Sequence, residues 1–241
     1  MSLRTRIKIC GLTREQDVDA AVAAGADAVG FVMFAGSARC VSPARAVELA
    51  KRLPPFVTPV LLFVNETAAN IESATAGIRN AVIQFHGNET PAECLASTQN
   101  GARPFIRAAR IPLDDASPFD LLKFASDYSS AQAILLDAHV DGYGGGGKAF
   151  NWSRIPASSE PANPAGTAGV LRHLVLSGGL TSANVTDGIV QVRPRCLTLA
   201  VDVSSGVEVS APGGGTLKGI KDAGKIHQFV AAVRAADRLL A

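Results

Sequence analysis

The stretch RIKIC, residues 6–10, sets a lysine between two isoleucines and ends on a cysteine. Side chains two apart on a strand share a face, so Ile7 and Ile9 lie on one side of this run and Lys8 and Cys10 on the other. On a simple edge strand Lys8 would sit in water. In a closed barrel it would point inward, with Cys10 above it at the mouth and the isoleucines against the surrounding helices. A lysine inside a barrel is costly unless it is paired. Which environment applies depends on what the rest of the chain builds.

Eight short, β-rich runs recur with helix-like stretches between them. They are RIKIC (6–10), AVGFV (28–32), PVLLFV (59–64), AVIQFHG (81–87), PFIRAARI (104–111), AILLDAH (133–139), LVLSGG (174–179) and LAVDVSSG (199–206). Such alternation is the mark of a parallel sheet covered by helices. REQDVDAAVAAG (14–25), SPARAVELAKRL (42–53) and KDAGKIHQFVAAVRAADRLL (221–240) read as helices, the second opening on a Ser cap with Pro in its first turn. Eight strand-then-helix repeats in 241 residues match the size of a (β/α)8 TIM barrel, roughly 250 residues. The fold class expected is therefore α/β, one barrel domain over residues 1–241. A doubly wound sheet of similar length is the alternative that periodicity leaves open. Barrel closure would bring the eighth run beside the first, and with it a Lys8 to Asp202 ion pair. Two segments break the rhythm: PASSEPANPAGTAG (156–169), read as an exposed excursion, and APGGGTLKG (211–219), read as a glycine-rich loop.

Composition narrows the partners. The 23 basic and 21 acidic residues are scattered, for a formal charge of +2, and form no basic stripe of the kind that tracks a phosphate backbone. Nucleic acid is not expected. Cys10, Cys40, Cys94 and Cys196 stand far apart and lack zinc-site spacing, so no metal is expected and a reducing cytoplasm fits. There is no run of eighteen apolar residues and no leader-like start, so neither a membrane nor a secretory route is expected.

In such a barrel functional groups gather where strands end and βα loops begin. Cys10 ends run one, Gln84 and His86 run four, Asp137 run six, Ser177, Gly178 and Gly179 run seven, and Asp202, Ser204 and Ser205 run eight. Parity turns Leu135 and Asp137 inward, and likewise Gln84 with His86 and Asp202 with Ser204. The Gly and Ser clusters expose N–H groups and hydroxyls after strands seven and eight, where barrels of this kind bind phosphate. A small phosphorylated substrate is implied. Asp137 then feeds the stretch AHVDGYGGGGKAFNW (138–152), whose glycines 142 and 144–147 suit a loop that closes over substrate, with Phe150 and Trp152 anchoring its far end by burial.

KICGLT (8–13), GADAVGFV (25–32), FVNET (63–67), QFHGNE (84–89), LLDA (135–138), GGGGKAFNW (144–152), LSGGL (176–180), DVSSGVE (202–208) and KGIKD (218–222) resemble the phosphoribosylanthranilate isomerase family of tryptophan biosynthesis. The resemblance implies a TIM barrel and the Amadori rearrangement of N-(5-phosphoribosyl)anthranilate to 1-(carboxyphenylamino)-1-deoxyribulose 5-phosphate, without a cofactor. It implies Cys10 as general base, Asp137 as general acid and Arg39 as the contact for the anthranilate carboxylate. The phosphate would fall to Gly178, Gly179, Asp202, Ser204 and Ser205, with Lys8, Gln84 and His86 also in the site. Ring opening needs an acid that still holds its proton near neutral pH, which burial favours, and the next step needs a base at C2′. For a cysteine that means a thiol depressed below its ordinary value. Glu208 is read as a brace for the last loop.

Three features depart from the family pattern: Cys40 where an aromatic often follows the arginine, Asn151 where aspartate is common, and the insertions at 156–169 and 213–216, the latter close enough to shift Lys218 or Lys221. The related sugar-phosphate isomerase of histidine biosynthesis is the enzymatic alternative, although it carries aspartate where Cys10 stands. A barrel that binds a phosphate ligand without turnover is the non-enzymatic one. Monomer and homodimer both remain open.

Overall fold

The computed structural model describes residues 4–114, 116–139, 149–157 and 171–240. β1 (Arg6–Cys10), β2 (Ala28–Val32), β3 (Thr58–Phe63), β4 (Val82–Phe85), β5 (Phe105–Ile111), β6 (Ala133–Ala138), β7 (His173–Leu176) and β8 (Thr198–Val203) are all parallel and close into a barrel in chain order. The closing seam pairs β1 with β8 and sets Lys8 opposite Asp202. That excludes the doubly wound sheet, whose edges stay open. Lys8 Nζ lies 2.9 Å from Asp202 Oδ1 with both side chains buried, as parity requires.

Helices form where the sequence supplies their ends. α1 (Glu15–Ala24) stops at Gly25, and α2 (Pro43–Ala50) starts from Ser42, whose hydroxyl accepts from Arg45 N. α3 (Ala68–Thr75) is capped by Thr67, and α4 (Pro91–Ala96) opens on a reciprocal cap between Thr90 and Glu93. α5 (Leu121–Asp127) and α6 (Val185–Val192) follow β5 and β7. α7 (Ala223–Leu239) returns to the barrel floor, where Asp237 accepts from Thr5 N at 3.0 Å and Arg234 donates to Thr5 O at 2.7 Å. Among the described residues no helix is long and apolar enough to cross a membrane.

The two strand faces build two cores. Outward residues such as Ile7, Ile9, Phe31, Leu61, Phe63 and Phe85 pack with Leu49, Ile71 and Phe229 of the helices. Inward, Ala108, Leu135 and Val175 form one small apolar cluster, and Cys10, Val32, Leu62 and Val64 another. The remaining inward positions toward the strand C-termini are polar, so the barrel is filled below and chemically active above.

Three details differ from the sequence expectation. Between β6 and β7 the described residues hold a single 3₁₀ turn, Trp152–Arg154, and no α-helix. Asn151 caps that turn by accepting from Ser153 N, and Pro156 follows before any helical stripe develops. Residues 211–219 are part of an antiparallel hairpin, β9 (Glu208–Ser210) with β10 (Thr216–Lys221), and are not a plain loop. Lys221 accordingly belongs to β10, and the last helix starts at Ala223, capped by Asp222. Phe150 is buried and Trp152 packs against the outer core, as an anchored segment requires. The glycines 142 and 144–147, and 158–169 of the excursion, lie outside the described residues.

Asp202→Asn leaves the Lys8 ammonium unpaired inside the barrel and is expected to cost about 3–5 kcal/mol in urea unfolding. Adding Lys8→Met to it is expected to recover most of that loss, because the buried charge goes with its partner.

Candidate active site

The mouth of the barrel is built on the Lys8–Asp202 pair. Cys10 stands one inward position above Lys8, at the end of β1, and is buried. Its neighbour on β2 is Gly30, and the absence of a side chain there is structural: a Cβ would lie 2.7 Å from Cys10 Sγ and 3.2 Å from Lys8 Cε. Burial pushes the Cys10 thiol above its ordinary value; Lys8 and Lys221 pull it back, and Asp202 adds to the rise. The depressed thiol expected from the chemistry is therefore not the resting condition. Asp202 accounts for part of this, since it neutralises the cation nearest the sulfur. Burial also works against the Lys8 ammonium, but Asp202 and Cys10 outweigh it and hold Lys8 above its ordinary value.

Asp137 faces the same mouth from β6, three strands from β1 by way of β7 and β8. Its Oδ1 accepts from Ala138 N at 2.9 Å and its Oδ2 lies 3.0 Å from His86 Nε2. His86 Nδ1 is in turn 2.9 Å from the Gln84 amide nitrogen. Gly178, at φ +79, closes against this group so tightly that a Cβ would sit 2.9 Å from Asp137 Oδ1 and 2.8 Å from Ala138 N. Only glycine meets both demands, a left-handed backbone and contact without a side chain. Thus Gly178 shapes the bed of the carboxyl as well as opening the β7 loop.

Arg39, after β2, lies against the end of β1, where a Cβ on Gly11 would meet its Cδ at 2.6 Å. Glu208 holds it by two bonds, Nε to Oε1 at 2.7 Å and Nη2 to Oε2 at 2.8 Å. Among the described residues no hydrogen bond engages Nη1. Glu208 also accepts from Thr216 Oγ1, Gly219 N and Lys221 Nζ at 2.9, 2.8 and 3.1 Å. It is more than a brace for the last loop, because it ties the β9–β10 hairpin to Arg39. Lys221 is buried and also donates to Ser204 O at 3.0 Å.

The loops after β7 and β8 pack closely, with Gly206 directly beneath the Leu180 carbonyl. The main-chain N–H groups of Gly178, Gly179, Ser204 and Ser205 make no hydrogen bond within the described residues. Four such donors at neighbouring loop starts suit an anion. The Asp202 side chain does not belong with them. Its carboxylate is committed to Lys8 and lies 3.4 Å from Ser177 Oγ, and its charge would repel a phosphate.

Sequence reasoning passed over two groups. Gly30 carried no chemical signal, since its role lies in what it leaves out. Arg110 was findable, because the parity that turns Ala108 inward also turns Arg110, which pairs in register with Asp137 and so stands beside it at the mouth.

Burial pushes the Glu208 carboxyl up, but Arg39, Lys221 and Gly219 N–H together bring it down to about 2. A depressed carboxyl contributes stability that is present above its unfolded range and lost as pH falls through the folded value. Glu208→Gln is therefore expected to lose about 3 kcal/mol at neutral pH and to show a shallower decline of Tm below about pH 4.5, read by calorimetry across pH.

A family model described as N-(5′-phosphoribosyl)anthranilate (PRA) isomerase matches residues 7–232. A curated relative from Methylibium petroleiphilum, named N-(5′-phosphoribosyl)anthranilate isomerase, is 56% identical over 239 residues, covering 99% of this chain and 98% of its own. The crystal structure of phosphoribosyl anthranilate isomerase from Thermotoga maritima superposes with a TM-score of 0.77 at 35% identity, over 96% of this chain and 99% of that one. A structure of such an isomerase in complex with reduced 1-(o-carboxyphenylamino)-1-deoxyribulose 5-phosphate gives a TM-score of 0.74 at 34% identity, with the same coverage.

Proposed function

As the chain belongs to the N-(5′-phosphoribosyl)anthranilate isomerase family, we propose that Cys10 and Asp137 carry out the family's rearrangement as base and acid. The enzyme is an isomerase of tryptophan biosynthesis acting on a small phosphorylated aminoaldose. What supports the assignment is the shared inner face: Cys10 and Asp137 both end strands at one mouth, beside the four unbonded N–H groups of the β7 and β8 loops.

Asp137 gives its proton to the furanose ring oxygen, the C1′–O bond breaks, and a protonated imine forms between C1′ and the anthranilate nitrogen. Cys10 then takes the proton from C2′, and the electron pair of that bond moves into the imine. The resulting enolamine becomes the ketone of the product as its 2′-hydroxyl proton is lost to solvent and C1′ takes one up. The proton held by Cys10 is exchanged through solvent for the one Asp137 gave. The protonated imine is the electron sink.

Binding follows from the same geometry. Gly178, Gly179, Ser204 and Ser205 present N–H groups to the phosphate, and Arg39, aimed by Glu208, offers Nη1 to the anthranilate carboxylate. Asp202 acts through Lys8 and leaves the phosphate to the backbone. All of these residues come from one chain, so the chemistry is complete in a monomer or in each half of a homodimer. The same reading takes residues 1–241 as a single domain working in the cytoplasm, which suits its biosynthetic role.

Cys10→Ala and Asp137→Asn are each expected to lower kcat by about 10² or more, with product-analogue binding largely kept. Steady-state kinetics with a binding titration checks this. Growth of a tryptophan auxotroph lacking only this isomerase should be restored by the wild type and not by Cys10→Ala; wild-type turnover in either variant would remove it from the mechanism.

A further inference from the structure

Three side chains run in a line from the barrel interior to the mouth: Gln84, His86 and Asp137. The Gln84 amide nitrogen lies 2.9 Å from His86 Nδ1, and His86 Nε2 lies 3.0 Å from Asp137 Oδ2. An amide nitrogen can only donate, so Nδ1 accepts and the ring proton sits on Nε2, directed at the carboxyl. The opposite amide orientation carries a larger penalty. As it stands, Gln84 Oε1 is buried without a partner among the described residues. Turning the amide over would satisfy that oxygen but leave both amide N–H groups unpaired where one is now, and a buried unpaired N–H is tolerated less well than a bare carbonyl. The tautomer of His86 is thus set from within β4.

The consequence falls on Asp137. One oxygen accepts from Ala138 N and the other from His86 Nε2, and Gly178 closes over the Oδ1 side. A proton carried by this carboxyl is left with the lone pairs that face the pocket. With the other tautomer a bare Nε2 would accept that proton and hold it away from the substrate.

We infer that Gln84 and His86 are a positioning pair that fixes the ring tautomer and thereby aims the acid proton of Asp137 at the substrate ring oxygen. This rests on Asp137 being the acid. The charged groups around the pair are Asp137 on β6 and Arg110 on β5, in register with it, together with Arg107 of β5 and Glu89, which hydrogen-bond the main chain of Phe85 and Gly87 on either side of His86; Ser177 and Gly178 on the β7 side bring no charge. Arg110, Arg107 and Glu89 keep their charges in either tautomer, so they do not decide between them.

Two-bond ¹⁵N correlation NMR of the wild-type enzyme tests the tautomer without reference to turnover. The chain has four histidines, and the His86 signals are assigned by their loss in His86→Gln. The expected pattern at about pH 7 is a protonated Nε2 and a bare Nδ1. A protonated Nδ1, alone or in an imidazolium, would overturn the inference. Gln84→Glu places an acceptor against Nδ1 and is expected to protonate it, lowering kcat about tenfold or more with KM little changed. Gln84→Met, which offers neither donor nor acceptor, is expected to give a mixture of tautomers and a smaller loss, and keeps the test available if the glutamate variant does not fold. A switched ring with unchanged kcat would sink the positioning role. Full activity in Asp137→Asn would sink the acid assignment instead, while leaving the tautomer result standing.

Discussion

The ammonium of Lys8 has to find a counter-charge inside a closed sheet, and β8 supplies it. A buried ion pair contributes little net stability, because desolvating both charges consumes most of their attraction. Its value here is in register. Sliding β1 by one residue would turn Ile7 and Ile9 inward and force Lys8 and Cys10 among the helices, exchanging a satisfied interior for an unpaired charge in an apolar layer. The pair therefore holds Cys10 at the mouth. Gly30 completes the arrangement, since the stem of Lys8 and the sulfur above it occupy the space that any side chain on β2 would take.

A second buried charge group stands beside the first and serves a different end. Glu208 gathers Arg39, Lys221 and the β9–β10 hairpin onto one carboxylate. Cys40 follows Arg39 and offers the guanidinium no ring to stack on. Two charge-assisted bonds fix a planar fork more firmly than a neighbouring ring would. The β9–β10 hairpin is anchored by the same carboxylate, and residues 213–215 are exposed at its tip.

The count of eight strand-then-helix repeats pointed to a barrel while leaving a doubly wound sheet open. Given closure, period-two alternation was enough to foresee the Lys8–Asp202 pair and the inward set Cys10, Gln84, His86 and Asp137, because each is a statement about which side of a strand a residue occupies. What alternation cannot convey is what a side chain touches once it is inside. The place of Asp202 in DVSSG speaks for its backbone and is silent on its carboxylate, which pairs with Lys8. Glu208 looked like a loop brace, and only three-dimensional packing brings Arg39 to it. Between β6 and β7 the described residues hold one turn capped by Asn151, a local hydrogen-bond detail that the strand-then-helix rhythm does not carry. Arg110 was within reach of the same parity argument, applied to run five.

The thiol of Cys10 presents the sharpest contrast between chemistry and surroundings. A base is wanted, and burial favours the neutral sulfur. On the proposed assignment the missing charge arrives with the reaction. Ring opening by Asp137 leaves a protonated imine at C1′, one bond from the C2′ hydrogen that Cys10 must remove. A cation created at that distance inside a low-dielectric mouth favours the thiolate far more than the same cation would in water. Lys8, already half-committed to Asp202, then has a second anion to stabilise without moving. The acid step thereby prepares the base, and a sulfur that rests protonated is protected from oxidation and alkylation until substrate supplies the charge that activates it.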